Sequence, residues 1–197
     1  MMERIKVFLS YRRADTPHVA GRLGDRIAQR CELFMDIDNI PLGMDFAKVV
    51  REAVKDCDAL VALIGPHWLD AVDDDGQRRL LNPDDWVVAE IKAGLDRDIT
   101  VIPVLVDGAV MPESEDLPLA LRSLPNRQAL TLGHPSFGVD ADRLLRALER
   151  LSRPTSSASP ESLDASPAAE ADLYQDLQFS RALAAMFNQR WDEPYAC

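Results

Sequence analysis

Short apolar runs alternate along the chain with stretches in which every third or fourth residue is apolar. The runs lie at residues 4–11, 33–37, 58–65, 99–106 and 127–132. Runs of this length that are apolar almost throughout are typical of strands covered on both faces. The pattern therefore predicts five strands, one for each run.

The stretches between the runs have the spacing of amphipathic helices. Residues 46–54 repeat their apolar positions at helical intervals, as do Val19, Leu23 and Ile27 before them. Asn82 followed by Pro83 and two acidic residues predicts that another helix begins there. Its predicted buried stripe is Val87, Ile91 and Leu95. Residues 117–124 and 140–151 predict a short helix and a closing helix.

Strands joined by helices imply a parallel sheet with right-handed crossovers and helices on both faces. The predicted fold is α/β, a flavodoxin-like three-layer sandwich around a five-stranded parallel sheet. In such sheets the ligand site lies beyond the carboxyl ends of the strands, where the strand order reverses. Residues 10–13, 36–43 and 65–68 follow the first three strands and are the expected site segments.

The composition changes after residue 152, which gives a predicted domain boundary. Residues 1–152 form the body, and residues 153–169 are a linker rich in Pro, Ser and Ala. Residues 170–192 have the periodicity of an amphipathic C-terminal helix. Because such a helix is rarely stable alone, it either docks on the body, pairs with a copy of itself, or leads into a further domain.

Charge and cysteine content exclude several classes of function. The 197-residue chain has a net charge of −11 and a pI of about 4.7, which argues against binding nucleic acid or an anionic membrane. The charged start predicts no signal peptide, and no apolar run in the sequence reaches the length that spans a membrane. The three cysteines and three histidines are scattered, without the spacing of a metal site. We expect a cytoplasmic protein with no structural metal.

Three motifs carry a family resemblance. "FLSYRR" ends the first strand, "DIDNIPLGMDF" crosses the second strand and its loop, and "DWVVAEI" lies on a later helix. Together, and in this order, they resemble a Toll/interleukin-1 receptor (TIR) domain of the bacterial type over residues 4–150. The resemblance implies the TIR fold. It also implies that the second motif contains the BB loop, through which members of the family assemble.

Some TIR domains cleave NAD⁺ at the nicotinamide–ribose bond, and they carry a glutamate on the helix of the third motif. Glu90 matches that catalytic glutamate, and Trp86 matches a tryptophan that often lies four residues before it. Loss of nicotinamide leaves positive charge on the ribose, which a fixed carboxylate can stabilise. The resemblance thus implies an NAD⁺ nucleosidase that hydrolyses or cyclises its product. NAD⁺ is its substrate, and no cofactor is expected.

The expected NAD⁺-binding residues come from all three motifs. Arginine suits phosphate oxygens in a forked geometry, aromatic rings offer stacking faces, and glycine allows close approach of the backbone. The predicted set is Tyr11, Arg12, Arg13, Asp36, Asn39, Gly43 and Trp86. The sequence departs from the family in two places. Asn39 stands where some enzymatic relatives have a basic residue, and the acidic insertion at residues 70–85 precedes the key helix.

Each site residue also has a structural alternative. From spacing alone, a solvated Glu90 paired with Lys92 or Arg97 is favoured, whereas the motifs favour the catalytic role. Trp86 is also compatible with a plain core position. The arginines after the first strand are compatible with surface pairs to Asp15 or Asp38. Asp36 and Asp38 are more typical of loop capping than of a metal site.

The resemblance leaves a second function open. Other TIR domains are scaffolds without catalysis that associate with themselves and with other TIR proteins. Here the assembly loop would be Ile40, Pro41, Leu42 and Gly43. The family suggests two settings, which are bacterial antiviral defence through NAD⁺ depletion or a nucleotide signal, and a secreted effector that disrupts the TIR signalling of a host. Without a secretion signal, innate immune defence is the favoured setting.

Overall fold

The computed structural model describes residues 4–35, 46–82, 84–97 and 99–151 of the chain. Five parallel strands form one sheet in the order β2-β1-β3-β4-β5. The strands are β1 (Lys6–Ser10), β2 (Glu32–Phe34), β3 (Ala59–Ile64), β4 (Thr100–Val106) and β5 (Leu130–Leu132). The predicted five-stranded parallel sheet is therefore confirmed. β1 lies between β2 and β3. The chain passes from β1 outward to β2 and then crosses back to β3, so the strand order reverses between β1 and β3.

Among the described residues, four α-helices cover the sheet, two on each face. They are α1 (Pro17–Ala28), α2 (Phe46–Lys55), α3 (Trp86–Asp96) and α4 (Phe137–Leu151). Apolar residues of α1 and α4 share one core cluster with alternate residues of the strands, among them Val7, Val61 and Val104. On the opposite face α2 packs against α3. The helices on both faces complete the predicted three-layer sandwich.

β3 is the most deeply buried strand, as its apolar sequence predicts. All six of its residues are buried, and it pairs with β1 from Ala59 to Ala62 and with β4 along its whole length. On α3, Val87 and Ile91 are buried as predicted, whereas Leu95 is only half-buried.

Two predicted elements differ in the structure. Helix α3 begins at Trp86 and is capped by Asp85, whose carboxylate accepts a hydrogen bond from the Val88 backbone N–H, so the predicted start at Asn82 is wrong. Asn82 instead follows a short 3₁₀ turn, Arg79–Leu81. The predicted short helix at 117–124 is also wrong, because Pro118 and Pro125 break the segment into 3₁₀ turns at Leu119–Leu121 and Leu124–Asn126.

Several predictions lie outside the described residues. They concern Asp36 and Asn39, the assembly loop from Ile40 to Gly43, and everything after residue 151, including the linker and the C-terminal helix. Within the described ranges, none of the helices combines the length and the apolar character that crossing a membrane requires.

Candidate functional site

A cleft of about 230 Å³ lies at the carboxyl end of β1, beside the start of α3. Its lining comes from two parts of the chain, namely the end of β1 with the loop after it, and the segment that leads into α3. The lining residues are Leu9, Tyr11, Arg12, Arg13, Ala14, Arg79, Asp85, Trp86, Val87 and Glu90. The cleft therefore lies beyond the carboxyl ends of the strands, next to the point where the strand order reverses, which is the position expected for a ligand site.

Glu90 is a buried carboxylate in the wall of this cleft. Only 8% of the residue is exposed, although it lies in the second turn of a helix that begins at the protein surface. Its neighbours on α3, Val87 and Ile91, are packed into the core. The alternative of a solvated Glu90 does not fit this burial. In addition, Lys92 pairs with Asp96 rather than with Glu90.

Trp86 is the first residue of α3 and lies at the more open side of the cleft. It is 38% exposed, so the indole is not a plain core residue. Trp86 and Glu90 both line the cleft, as their spacing of four residues on one helix requires. The indole therefore offers an aromatic face beside a buried carboxylate.

Arg12 is buried and pairs with the residue that caps α3. Its two terminal nitrogens lie 2.9 and 3.3 Å from the two carboxylate oxygens of Asp85, which is a forked, two-bond geometry. The side chains of Arg12 and Asp85 are only 3% and 2% exposed. The partner predicted from local spacing was Asp15 or Asp38. The structure shows instead a pair that joins the loop after β1 to the start of α3.

Asp85 is the centre of a small polar network. Besides the bonds from Arg12 and from the Val88 backbone, it accepts a hydrogen bond from Nε of Arg79 at 3.3 Å. A carboxylate that is this deeply buried needs such partners, because a buried charge without them is costly. The network therefore fixes the α3 N-terminus relative to the loop after β1.

The loop after β1 is also held against the end of β3. Asp15 accepts a hydrogen bond from the His67 backbone N–H at 3.1 Å, and backbone bonds from Asp15 and Thr16 to the Arg12 carbonyl close the loop on itself. These contacts fix the backbone that presents Tyr11, which is half-buried, and Arg13, which is exposed. Both side chains have interactions of their own within the protein.

Five of the predicted site residues thus come together in one cleft: Tyr11, Arg12, Arg13, Trp86 and Glu90. Sequence reasoning missed two charged lining residues, Arg79 and Asp85. Asp85 gave a signal as one of two acids before α3, but its partner is distant in sequence. Arg79 gave none, because it lies in the insertion and outside the three motifs.

The charges in the lining differ from those of the whole chain. Arg12, Arg13 and Arg79 contribute three positive charges, and Asp85 and Glu90 contribute two negative charges. The cleft therefore carries one excess positive charge, whereas the chain carries −11. This balance suits a ligand with both an anionic group for the arginines and a site of developing positive charge for Glu90.

The sequence is similar to known TIR domains. A family model described as "TIR domain" matches residues 7–145, which include every residue of the cleft. The chain is also 26% identical over 152 residues to a protein of Drosophila melanogaster named NAD(+) hydrolase sarm1. That similarity covers 75% of this chain but only 10% of the fly protein, so the chain spans a tenth of that relative's length.

Solved structures share the fold. A prokaryotic SEFIR domain superposes with a TM-score of 0.51 at 17% identity, covering 81% of this chain and 99% of that one. The TIR domains of the activated Roq1 resistosome, which recognises the pathogen effector XopQ, give a TM-score of 0.50 at 15% identity, covering 74% of this chain and 98% of theirs. At these identities the likeness concerns the fold alone.

Proposed function

Because the chain belongs to the TIR domain family, we propose that it cleaves NAD⁺ between nicotinamide and ribose, with Glu90 as the catalytic carboxylate. The observation that carries this proposal is the burial of Glu90 in the wall of a cleft that it shares with Trp86 and three arginines. The similarity to a fly protein named as an NAD⁺ hydrolase supports it.

The residues of the cleft suit the separate needs of this reaction. As the bond to nicotinamide breaks, positive charge develops on the ribose, and a carboxylate held in place stabilises it without reorganising. Burial strengthens that interaction, because the effective dielectric constant is lower than in water. Trp86 provides an aromatic face for a ring of the ligand, and Arg13 and Arg79 provide cations for its phosphates.

The fixed geometry of α3 supports the same assignment. Glu90 lies one turn after the first residue of a helix whose N-terminus is anchored through Asp85 to Arg12. Such an anchor positions the carboxylate before the ligand arrives. We further propose that self-association through the loop 39–43 completes or gates the site, which the second motif supports.

The test measures the release of nicotinamide from NAD⁺ by chromatography for the wild type, Glu90→Gln and Glu90→Ala. We expect loss of the Glu90 charge to reduce turnover by about 100- to 1,000-fold, as for other groups that stabilise a transition-state charge. Glu115→Gln is a matched control, because Glu115 is an exposed carboxylate outside the cleft. Cooperative urea unfolding of each variant shows that its fold is retained.

Each assay is run at low and high protein concentration, because association can gate activity. Release by the wild type and Glu115→Gln but not by the Glu90 variants supports the proposal, and the second product separates hydrolysis from cyclisation. Equal release by wild type and Glu90→Gln would refute the role of Glu90. Absence of release from the wild type at every concentration would favour a scaffold that acts through assembly.

A further inference from the structure

One arginine of the cleft lies outside all three sequence motifs. Arg79 belongs to the 3₁₀ turn Arg79–Leu81 within the insertion 70–85, and it lines the cleft together with Glu90. We propose that Arg79 is a phosphate-binding residue of this cleft and holds the pyrophosphate of a dinucleotide. This inference rests on the proposed function, which it extends by naming a residue for the anionic part of the substrate.

Arg12 and Arg79 both bind the Asp85 carboxylate, but they differ in the hydrogen-bond donors that remain available to a ligand. Arg12 is 3% exposed and uses both terminal nitrogens on Asp85, so its charge is matched inside the protein. Arg79 is 42% exposed and uses only Nε on the same carboxylate. Within the described part of the chain, the two terminal nitrogens of Arg79 make no hydrogen bond. Arg79 is thus the cation of the network that retains donors for a ligand.

Asp85 fixes the orientation of the Arg79 guanidinium. The carboxylate itself cannot turn, because Arg12 and the Val88 backbone N–H hold its two oxygens. A guanidinium that is anchored at Nε keeps its opposite edge for a second partner. Phosphate oxygens accept two parallel bonds from such an edge, and less conformational freedom is lost when the edge is already oriented.

The charge count favours an anion as that second partner. Arg12 and Asp85 neutralise each other, and Glu90 offsets one of the two remaining arginines of the lining. Arg79 or Arg13 is therefore the source of the excess positive charge. The chain carries a net charge of −11, so an anionic ligand needs local cations to hold it.

The experiment measures binding of ADP-ribose by titration calorimetry, together with steady-state cleavage of NAD⁺. The proteins are the wild type, Arg79→Ala, Arg79→Lys and Arg146→Ala. Arg146 is a matched control, because it is an exposed arginine on α4, on the opposite face of the sheet. Urea unfolding shows whether each variant keeps the wild-type fold.

We expect Arg79→Ala to weaken ADP-ribose binding about 10- to 100-fold, which is the range for a hydrogen-bonded charge. The KM for NAD⁺ should rise by a similar factor with little change in kcat, because this contact is made equally in the ground and transition states. Arg79→Lys should recover part of the loss, since it restores the charge but not the fork. Arg146→Ala should match the wild type.

The two proposals can fail separately. Unchanged binding and KM in Arg79→Ala would overturn the role of Arg79 and leave the enzymatic proposal standing. Binding that depends on Arg79 without release of nicotinamide by the wild type would refute the enzyme but support this residue. A wild type that cleaves NAD⁺ but binds no ADP-ribose, with KM unaltered by the substitution, would also count against Arg79.

Discussion

Gly65, the residue directly after β3, packs closely against the loop after β1. A methyl group at this position would lie 2.3 Å from Cγ2 of Thr16 and 2.4 Å from Oδ2 of Asp15. Real contacts of this kind are essentially never so short, so a side chain at Gly65 would displace the Thr16 and Asp15 side chains of the loop. The absence of a side chain at Gly65 therefore helps to place Tyr11 and Arg12 at the cleft.

We expect Gly65→Ala to lower the free energy of unfolding by about 1–3 kcal/mol, as overpacking of a tight contact does. Gly21→Ala is the control, because nothing lies within 4 Å of a methyl group there and alanine favours the helix by about 1 kcal/mol. Urea unfolding of both variants tests the difference. Equal stability of Gly65→Ala and wild type would mean that the loop moves freely away from β3.

At the scale of elements, two kinds of ion pair join distant parts of the chain. Arg12 and Asp85 are buried and connect the loop after β1 to α3. Arg26–Asp142 connects α1 to α4, and Arg30–Glu149 connects the turn after α1 to α4, but their side chains are 36–47% exposed. Water screens the exposed pairs, so we expect the buried pair to matter far more for stability.

The matched variants are Arg12→Ala and Arg26→Ala. Removal of Arg12 leaves the Asp85 carboxylate buried with only Arg79 as a cation, and the expected loss is about 3–5 kcal/mol. Removal of Arg26 breaks a half-exposed pair and should cost at most about 1 kcal/mol. Urea unfolding gives both values. Similar small losses would show that Arg79 or solvent compensates Asp85 when Arg12 is absent.

The elements also show which features can be predicted from local sequence and which depend on tertiary contacts. The strands and the apolar faces of α1 and α3 follow from periodicity, which is a local property. The start of α3 was predicted at Asn82, because Asn and Pro favour helix starts locally. The structure uses Asp85 instead, whose carboxylate both caps the helix and pairs with Arg12. That pairing depends on the tertiary fold.

The same distinction applies to the cleft. Tyr11, Arg12, Arg13, Trp86 and Glu90 were predicted from the motifs, and they do line one cleft. The burial of Arg12 and its partner could not be predicted, because the nearer acids Asp15 and Asp38 were equally plausible from spacing. Arg79 was missed, because an insertion has no motif with which to compare it.

At the scale of the whole molecule, two buried thiols make the stability of the fold dependent on pH. Cys31 and Cys57 are free and buried, and they lie just before β2 and β3 respectively. Burial raises the pKa of Cys31 to about 11, and burial also raises the pKa of Cys57. Both thiols therefore stay protonated in the folded protein at pH values where an exposed thiol ionises.

This difference makes stability dependent on pH in the alkaline range. Below pH 9.0, the ordinary pKa of the thiol, Cys31 is protonated in both states and its favourable contribution is fully present. As the pH rises from about 9 to about 11, only the unfolded state ionises, so stability falls by up to about 1.4 kcal/mol per pH unit for this group. Urea unfolding between pH 7 and 11 should therefore show a steeper decline for wild type than for Cys31→Ala. Parallel curves would contradict the raised pKa.

The separation of Arg12 and Asp85 by 73 residues has a consequence for biosynthesis. The cleft is made from the first strand and from a helix that begins at Trp86, with α1, β2, α2, β3 and the 3₁₀ turn Arg79–Leu81 between them. A nascent chain cannot assemble this cleft until the codon for Glu90 has been translated and the segment has left the ribosome. Truncated products that end before α3 would carry the first motif without a complete site, so under the proposed function they would leave NAD⁺ uncleaved.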